Sequence, residues 1–304
     1  MHRQPEQLDR RGFLAGSAAV AMAATCPLYA DEKPAADELA LQVGITTSSL
    51  SPHVAARPAP GKITLLELPR MLRDELDMRV IDLNTSTLAS SEPKYLDRVR
   101  EAADKAGSML TNLKMNQRNL DMNSTDDEVR RHALKQYKHS IDTASRLGCR
   151  WARPLPQQPK PDMRIHVDSY RELAEYAAER DVQMLVENYG WMSDDPESVP
   201  RLIEAIDRNV AASPDTGNWT TDEIRYAGLA KAFPLAVTCD FKARQLGPEG
   251  QHPLYDLRRC FDVGWKAGFR GPWCLEHANP DRKMLFRELG LLRDKLREWM
   301  SSPA

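Results

Sequence analysis

The sequence alternates short apolar runs with longer stretches of helical period eight times, and this alternation restricts the fold more than any other feature. Each apolar run has the length of a buried strand, and the stretch that follows has the period of an amphipathic helix. The predicted strands are residues 39–46, 78–83, 108–114, 149–153, 183–187, 209–213, 236–241 and 273–276. The predicted helices are residues 65–76, 93–106, 126–147, 166–179, 196–206, 222–232, 254–266 and 281–300. This order indicates a parallel sheet covered by helices.

Eight strand–helix units match a single closed (β/α)8 TIM barrel in number, and their total length of about 260 residues also fits. The barrel is predicted to span residues 39–300. An open, doubly wound sheet is the alternative, but residues 44–49 (GITTSS) lack the glycine-rich turn that such a sheet usually places after its first strand. Because parallel strands covered on both sides are apolar throughout, we expect Leu83, Val186 and Ala211 to be buried.

Local signals mark the ends of several predicted helices. Thr125, with Glu128 three residues later, is typical of a capping box at the start of the third helix. Gly107, Gly148 and Gly268 come just after the second, third and seventh helices, where a left-handed residue is favoured.

The N-terminus carries a pattern that is typical of an export signal. Arg10 and Arg11 precede an Ala-rich apolar run, residues 13–25, which is too short to span a bilayer as a helix. The paired arginines resemble the twin-arginine type of signal. We therefore expect residues 1–30 to be removed, residues 31–38 to be a linker, and the protein to fold in the cytoplasm and reach the periplasm without stable membrane insertion. A disordered cytoplasmic N-terminus is the alternative.

The charge of the chain argues against nucleic acid as a partner. Lysine and arginine number 42 against 44 acidic residues, which gives a net charge of −2. A protein that binds a phosphate backbone needs a basic surface to neutralise it. We expect a small-molecule substrate instead, and the oligomeric state is left open.

Acidic residues stand at the ends of four consecutive predicted strands: Glu187, Asp215, Asp240 and Glu276. In a TIM barrel the carboxyl ends of the strands meet at one face, which carries the active site. Carboxylates crowded together stay partly protonated unless a cation neutralises them. Oxygen ligands favour Mg²⁺ or Mn²⁺, with Zn²⁺ and Co²⁺ as alternatives. The sequence therefore predicts a divalent-metal site at this face.

Several stretches resemble the sugar phosphate isomerase/epimerase family of xylose-isomerase-like TIM barrels. They are residues 186–190 (VENYG), 215–219 (DTGNW) and 275–277 (LEH), with further similarity at residues 141–148 and 267–271. The resemblance covers nearly the whole predicted barrel, and its motifs occur in the family's order. It implies a metal-dependent isomerase or epimerase that acts on a sugar or keto-sugar.

The resemblance also implies roles for the strand-end acids. The family's usual metal ligands are Glu, Asp, His and Glu on strands five to eight, and three of them carry over onto Glu187, Asp215 and Glu276. Asp240 stands where many relatives have His, and we expect it to be the fourth ligand. By the same resemblance Glu187 and Glu276 face the substrate from opposite sides, where each moves a proton next to a carbonyl.

Five further residues are candidates for binding the substrate: Arg153, Trp191, Asn218, Lys242 and His277. Arg153 and Lys242 have the charge to bind hydroxyls or an anion, but each could equally be an ion-pair partner. An aromatic residue such as Trp191 stacks on a sugar ring or closes the barrel as a lid.

The sequence alone leaves other functions open. A lyase or dehydratase begins with the same proton abstraction, and a sugar-binding protein without catalysis would keep the same fold. An endonuclease of this fold needs a histidine-rich zinc site and a basic groove, and the chain has only seven histidines and a negative net charge. His252, in the loop after the seventh strand, could supply an imidazole but has the setting of a solvated loop residue.

Overall fold

The computed structural model describes residues 36–155, 157–247 and 250–303. The predicted export signal, residues 1–30, lies outside the described residues, as does most of the predicted linker. The described strands are β1 Val43–Thr46, β2 Val80–Asn84, β3 Met109–Met115, β4 Trp151–Pro154, β5 Gln183–Val186, β6 Val210–Ala212, β7 Cys239–Lys242 and β8 Trp273–Glu276. The described α-helices are α1 Ala36–Leu39, α2 Leu68–Leu76, α3 Pro93–Ala106, α4 Asp127–Arg146, α5 Met163–Ala178, α6 Ser198–Ile206, α7 Asp222–Ala232, α8 Leu257–Lys266 and α9 Arg282–Ser301.

The eight strands form one parallel sheet that curls into a ring. Their order is β6-β5-β4-β3-β2-β1-β8-β7, so that β6 and β7 are the two ends. Parallel bridges join these ends at Ala212 with Ala236 and at Asp215 with Asp240. Each of α2 to α9 follows one strand, which is the connectivity of a (β/α)8 barrel. The predicted TIM barrel is confirmed.

The inside of the barrel has an apolar lower layer. Successive residues of a strand point to opposite faces, so every second residue faces inward. The inward residues near the start of the strands form a cluster with one residue of α1, which we call the plug: Leu39, Val80, Trp151, Leu185, Ala211 and Cys274. The plug fills the amino-terminal end of the barrel and leaves the other end for polar side chains.

The outward residues pack against the helices. Phe241 of β7, for example, lies edge-on to Trp299 of α9, with 6.3 Å between the ring centroids. Leu83, Val186 and Ala211 are all buried, as predicted. Among the described residues, no helix is long and apolar enough to cross a membrane.

The limits of most predicted elements move by one to four residues, and two of the differences have a clear local cause. The first strand begins at Val43, not at residue 39, because Leu39 belongs to α1 and Leu41 takes a left-handed backbone conformation that separates α1 from β1. The cap of α4 is Asp126, not Thr125. Its carboxylate accepts hydrogen bonds from the backbone N–H groups of Glu128 and Val129, at 2.8 and 3.3 Å. The left-handed glycines at 107, 148 and 268 are confirmed.

Candidate active site

A layer of charged side chains lies directly above the plug, at the carboxyl end of the barrel. It arises because inward positions recur every second residue: Arg153 follows Trp151 and Glu187 follows Leu185 after two residues, and Asp215 follows Ala211 after four. We call this set the polar layer: Asp82, Lys114, Arg153, Glu187, Asp215, Asp240, Lys242 and Glu276. All are buried except Glu276, whose side chain is 22% exposed. The opening of the barrel therefore reaches the layer at Glu276.

Three carboxylates of the polar layer approach one another closely. One oxygen from each of Glu187, Asp215 and Asp240 lies within 4.8 Å of the other two, and all three residues are buried. Glu276, predicted as a ligand with them, lies outside this group. The three acids have the spacing of a buried site that could hold a metal ion.

The backbone and a neighbouring amide fix the orientation of Asp215. The side chain of Asn188 accepts from the backbone N–H of Asp215 at 2.8 Å and donates to its carbonyl at 3.0 Å. Oδ1 of Asp215 then accepts from the backbone N–H groups of Gly217 and Asn218, at 2.7 and 3.1 Å. These bonds occupy one carboxylate oxygen and direct the other into the barrel.

Three cations stand among the acids. Lys242 Nζ lies 2.5 Å from Asp215 Oδ2 and 3.0 Å from Glu276 Oε1. Arg153 lies 2.7 Å from Glu187 Oε2. The ammonium group of Lys114 contacts Asp240. Side chains of the protein itself therefore provide part of the neutralisation that the sequence assigned to a metal ion.

The charges do not cancel, however. Five carboxylates face three cations in the polar layer, which leaves a formal charge of −2 when all are ionised. Oδ2 of Asp240 is buried and has no hydrogen-bond partner among the described residues, and the contact of Glu187 Oε2 with Arg153 lacks hydrogen-bond geometry. Buried polar atoms normally have partners. The residual charge and the unpartnered oxygen of Asp240 together fit a divalent cation held by hard oxygen ligands.

The two predicted catalytic acids lie in opposite electrostatic settings. Burial raises the pKa of Glu187, although Arg153 works against the shift. Burial would also raise the pKa of Glu276, but the ammonium groups of Lys242 and Lys114 outweigh this effect and lower the pKa. Environments that separate the pKa values of two acids are characteristic of acid–base pairs.

Three of the predicted substrate-binding residues lie in this site. Arg153 and Lys242 pair with the acids, and Asn218 joins them by donating to Glu187 Oε1 at 2.9 Å and accepting from Lys242 at 2.9 Å. Asn218 is only partly buried, so it lies with Glu276 at the opening. Arg153 and Lys242 are thus ion-pair partners of the acids, and of the three only Asn218 is partly exposed.

The remaining candidates make their side-chain contacts with residues outside the polar layer. His277 lies 2.7 Å from Glu288 of α9 through Nε2. Trp191 is partly buried and packs edge-on against His166, with 5.9 Å between the centroids. The hydrogen bonds of His252 lie in its own loop, where Nδ1 accepts from two backbone N–H groups, at 3.2 and 3.3 Å.

The site also contains Lys114 and Asp82, two residues to which no role was assigned from the sequence. Asp82 accepts from Thr111 Oγ1 at 2.6 Å, and burial raises its pKa to about 6. The two-residue spacing of polar side chains in Asp82–Asn84 and in Asn112–Lys114 is the signal that could have revealed an inward polar face on β2 and β3.

Several solved structures share this fold. A D-psicose 3-epimerase from Clostridium cellulolyticum H10, solved with D-tagatose, matches at a TM-score of 0.67 and 16% identity, over 84% of this chain and 98% of that one. A xylose isomerase-like TIM barrel protein from Mycobacterium smegmatis, in complex with magnesium, gives 0.64 and 17%, over 88% and 99%. The apo form of a 3-keto-D-glucoside 4-epimerase from E. coli gives 0.64 and 15%, over 84% and 99%.

The family is identified by sequence. No curated protein matches the chain significantly, but the model of one family, described as a xylose isomerase-like TIM barrel, matches residues 75–300. That match covers most of the chain and all of the polar layer. The chain therefore belongs to the xylose isomerase-like TIM barrel family.

Proposed function

We propose that the protein is a divalent-metal-dependent isomerase or epimerase that moves a proton next to the carbonyl of a sugar or keto-sugar. The observation that carries the proposal is the close group of Glu187, Asp215 and Asp240, with the unpartnered buried oxygen Oδ2 of Asp240, in a polar layer of formal charge −2. The epimerases among the structural neighbours support the reaction class, and the magnesium-bound neighbour supports the cofactor.

The three acids of the group would hold the cation, and Mg²⁺ and Mn²⁺ suit their oxygens best. When bound, the cation polarises the carbonyl and hydroxyl oxygens of the substrate. Glu276 is the only acid of the polar layer at the opening, where it meets the substrate first. Its carboxylate takes the proton from the carbon next to the carbonyl, and the electron pair of the C–H bond moves towards the carbonyl oxygen.

Glu187 completes the transfer from deeper in the barrel. It is buried directly after the end of β5, whereas Glu276 ends β8, so the two acids approach a bound substrate from different sides. Burial raises the pKa of Glu187, so it takes up a proton from solvent before turnover, which changes the formal charge of the layer from −2 to −1. It gives that proton to the carbon, and delivery on the opposite face inverts the centre. Lys242 stays on Glu276 and Asn218 stays on Glu187, which keeps both acids in place during the transfer.

The charge of the site favours an unphosphorylated substrate. Each cation of the polar layer, Lys114, Arg153 and Lys242, is already paired with a carboxylate. A phosphate would add negative charge without an unpaired cation among these residues to receive it. A neutral polyhydroxy carbonyl compound adds no charge and supplies the oxygens that the site can bind.

The test is isotope exchange into keto-sugars in D₂O, followed by mass spectrometry. The protein with added Mn²⁺ should place one deuterium on the carbon next to the carbonyl. Glu276→Gln and Glu187→Gln should each lower the rate by about 10²–10⁴-fold, the usual contribution of one general acid or base. Glu204→Gln is the matched control, because it makes the same change on the exposed face of α6.

The products separate the alternatives. An unsaturated product would identify a lyase or dehydratase, and sugar binding without exchange would identify a non-catalytic relative. Full activity after removal of all divalent metal would contradict the metal-dependent mechanism.

A further inference from the structure

Lys114 reaches across the barrel to contact one of the three grouped acids. It lies on β3, and its partner Asp240 lies on β7, which is not a neighbour of β3 in the sheet. Its side chain is fully buried in the barrel interior. A long side chain such as that of lysine is needed to connect strands on opposite sides of a barrel.

The contact treats the two oxygens of Asp240 differently. The ammonium group of Lys114 takes Oδ1, whereas Oδ2 is buried and has no hydrogen-bond partner within the described residues. Asp240 also belongs to the group of carboxylates whose oxygens lie within 4.8 Å of one another. Lys114 thus leaves Oδ2 of Asp240 available to another ligand and keeps Oδ1 occupied.

We propose that Lys114 is a positioning residue that makes Asp240 a one-oxygen ligand and limits how tightly the site binds its divalent cation. This inference rests on the metal site proposed above. Lys114 brings the formal charge of the polar layer to −2, which one divalent cation balances. Without it the charge would be −3, both oxygens of Asp240 would be free, and a cation would bind more tightly.

The proposal is tested by measuring Mn²⁺ binding by calorimetry and the rise in Tm when Mn²⁺ replaces a chelator. Lys114→Met should lower Tm in the chelator, because Asp240 is left as an unpaired buried charge. Added Mn²⁺ should then raise Tm by more than in the wild type, and the Kd for Mn²⁺ should fall about tenfold or more. Lys138→Met is the matched control, since it breaks an ion pair with Glu172 outside the barrel interior.

A second comparison keeps the test decisive if Lys114→Met does not fold. Asp240→Asn leaves Lys114 unpaired beside the cation and should weaken Mn²⁺ binding. Adding Lys114→Met to Asp240→Asn removes that unpaired charge, so the double variant should bind Mn²⁺ about tenfold or more tightly than Asp240→Asn alone.

The outcomes separate this inference from the proposed function. If the wild type binds neither Mn²⁺ nor Mg²⁺, the metal site fails and the role of Lys114 fails with it. If the wild type binds the cation but Lys114→Met leaves both the Kd and the Mn²⁺-induced rise in Tm unchanged, the metal site stands and the role of Lys114 is overturned. Equal Kd values for Asp240→Asn and the double variant would overturn it too.

Discussion

His166 should make the stability of the protein fall as the solution becomes acidic. Its ring is fully buried on α5, edge-on to Tyr170 and Trp191. Nδ1 lies 2.5 Å from Asn123 Oδ1 and donates to it, while Nε2 is buried without a hydrogen-bond partner among the described residues. A second proton would therefore create a buried charge with no acceptor, and burial lowers the pKa to about 4.

The size of the effect follows from the difference between folded and unfolded pKa values. The unfolded chain binds the proton at a pKa of 6.5, whereas the folded protein binds it only near 4. Between these values the unfolded state carries more protons than the folded state. The contribution of His166 to stability is therefore fully present above pH 6.5 and is lost as the pH falls towards 4. One pKa unit corresponds to about 1.4 kcal/mol, so the free energy of unfolding should drop by about 2 kcal/mol between pH 7 and pH 5 from this residue alone.

The assay compares the wild type with His166→Gln by denaturant unfolding at pH 7, 6 and 5. The other titrating groups contribute equally to both proteins, so the difference in unfolding free energy isolates His166. That difference should shift by about 2 kcal/mol in favour of the variant as the pH falls from 7 to 5. His132→Gln is the matched control, because it makes the same change on an exposed face of α4. A difference that stays constant with pH would refute the reasoning.

Three further predictions concern packing and export. Ala at Gly228 would place a Cβ 2.3 Å from the ring of Trp219, and it should lower the free energy of unfolding by roughly 1–3 kcal/mol. Ala at Gly290, inside α9, has as its closest neighbour a side-chain carbon 3.9 Å away, and it should raise that free energy by roughly 0.5–1 kcal/mol. Both changes are measurable by denaturant unfolding. We also propose that the chain is exported to the periplasm and that its paired arginines direct this export. Replacing both Arg10 and Arg11 by Lys should leave the uncleaved protein in the cytoplasm, as measured by cell fractionation. Unchanged export of this variant would contradict the proposal.

The strands and helices could be predicted because each has a local signal. The predicted limits of β8 and α3 coincide with the observed ones, since apolar runs and flanking turn residues mark both ends. The start of β1 could not be predicted in this way. Leu39 is as apolar as a strand residue, but it packs into the plug from α1, and that contact exists only after the barrel has closed.

The site could be predicted in part for a similar reason. The positions of Glu187, Asp215 and Asp240 at strand ends were enough to predict that they meet, because the ends of parallel strands lie at one face. The partner of each acid was not predictable from its position. The alternation of side chains along a strand predicts that Lys114 points inward. It does not predict that Lys114 contacts Asp240 on the opposite side of the barrel.

Stability alone gives no reason for the polar layer. Taking an ion out of water costs several kcal/mol, and replacing a buried ion pair by well-packed apolar residues is often neutral or stabilising. The plug shows that this chain can fill the barrel interior with apolar side chains two residues below. The next layer instead holds eight charged side chains, and Oδ2 of Asp240 has no partner among the described residues. This composition indicates a functional site rather than part of the structural core. With all its acids ionised the layer carries two excess negative charges, and this excess is the basis for the proposed divalent cation and for the proposed uncharged substrate.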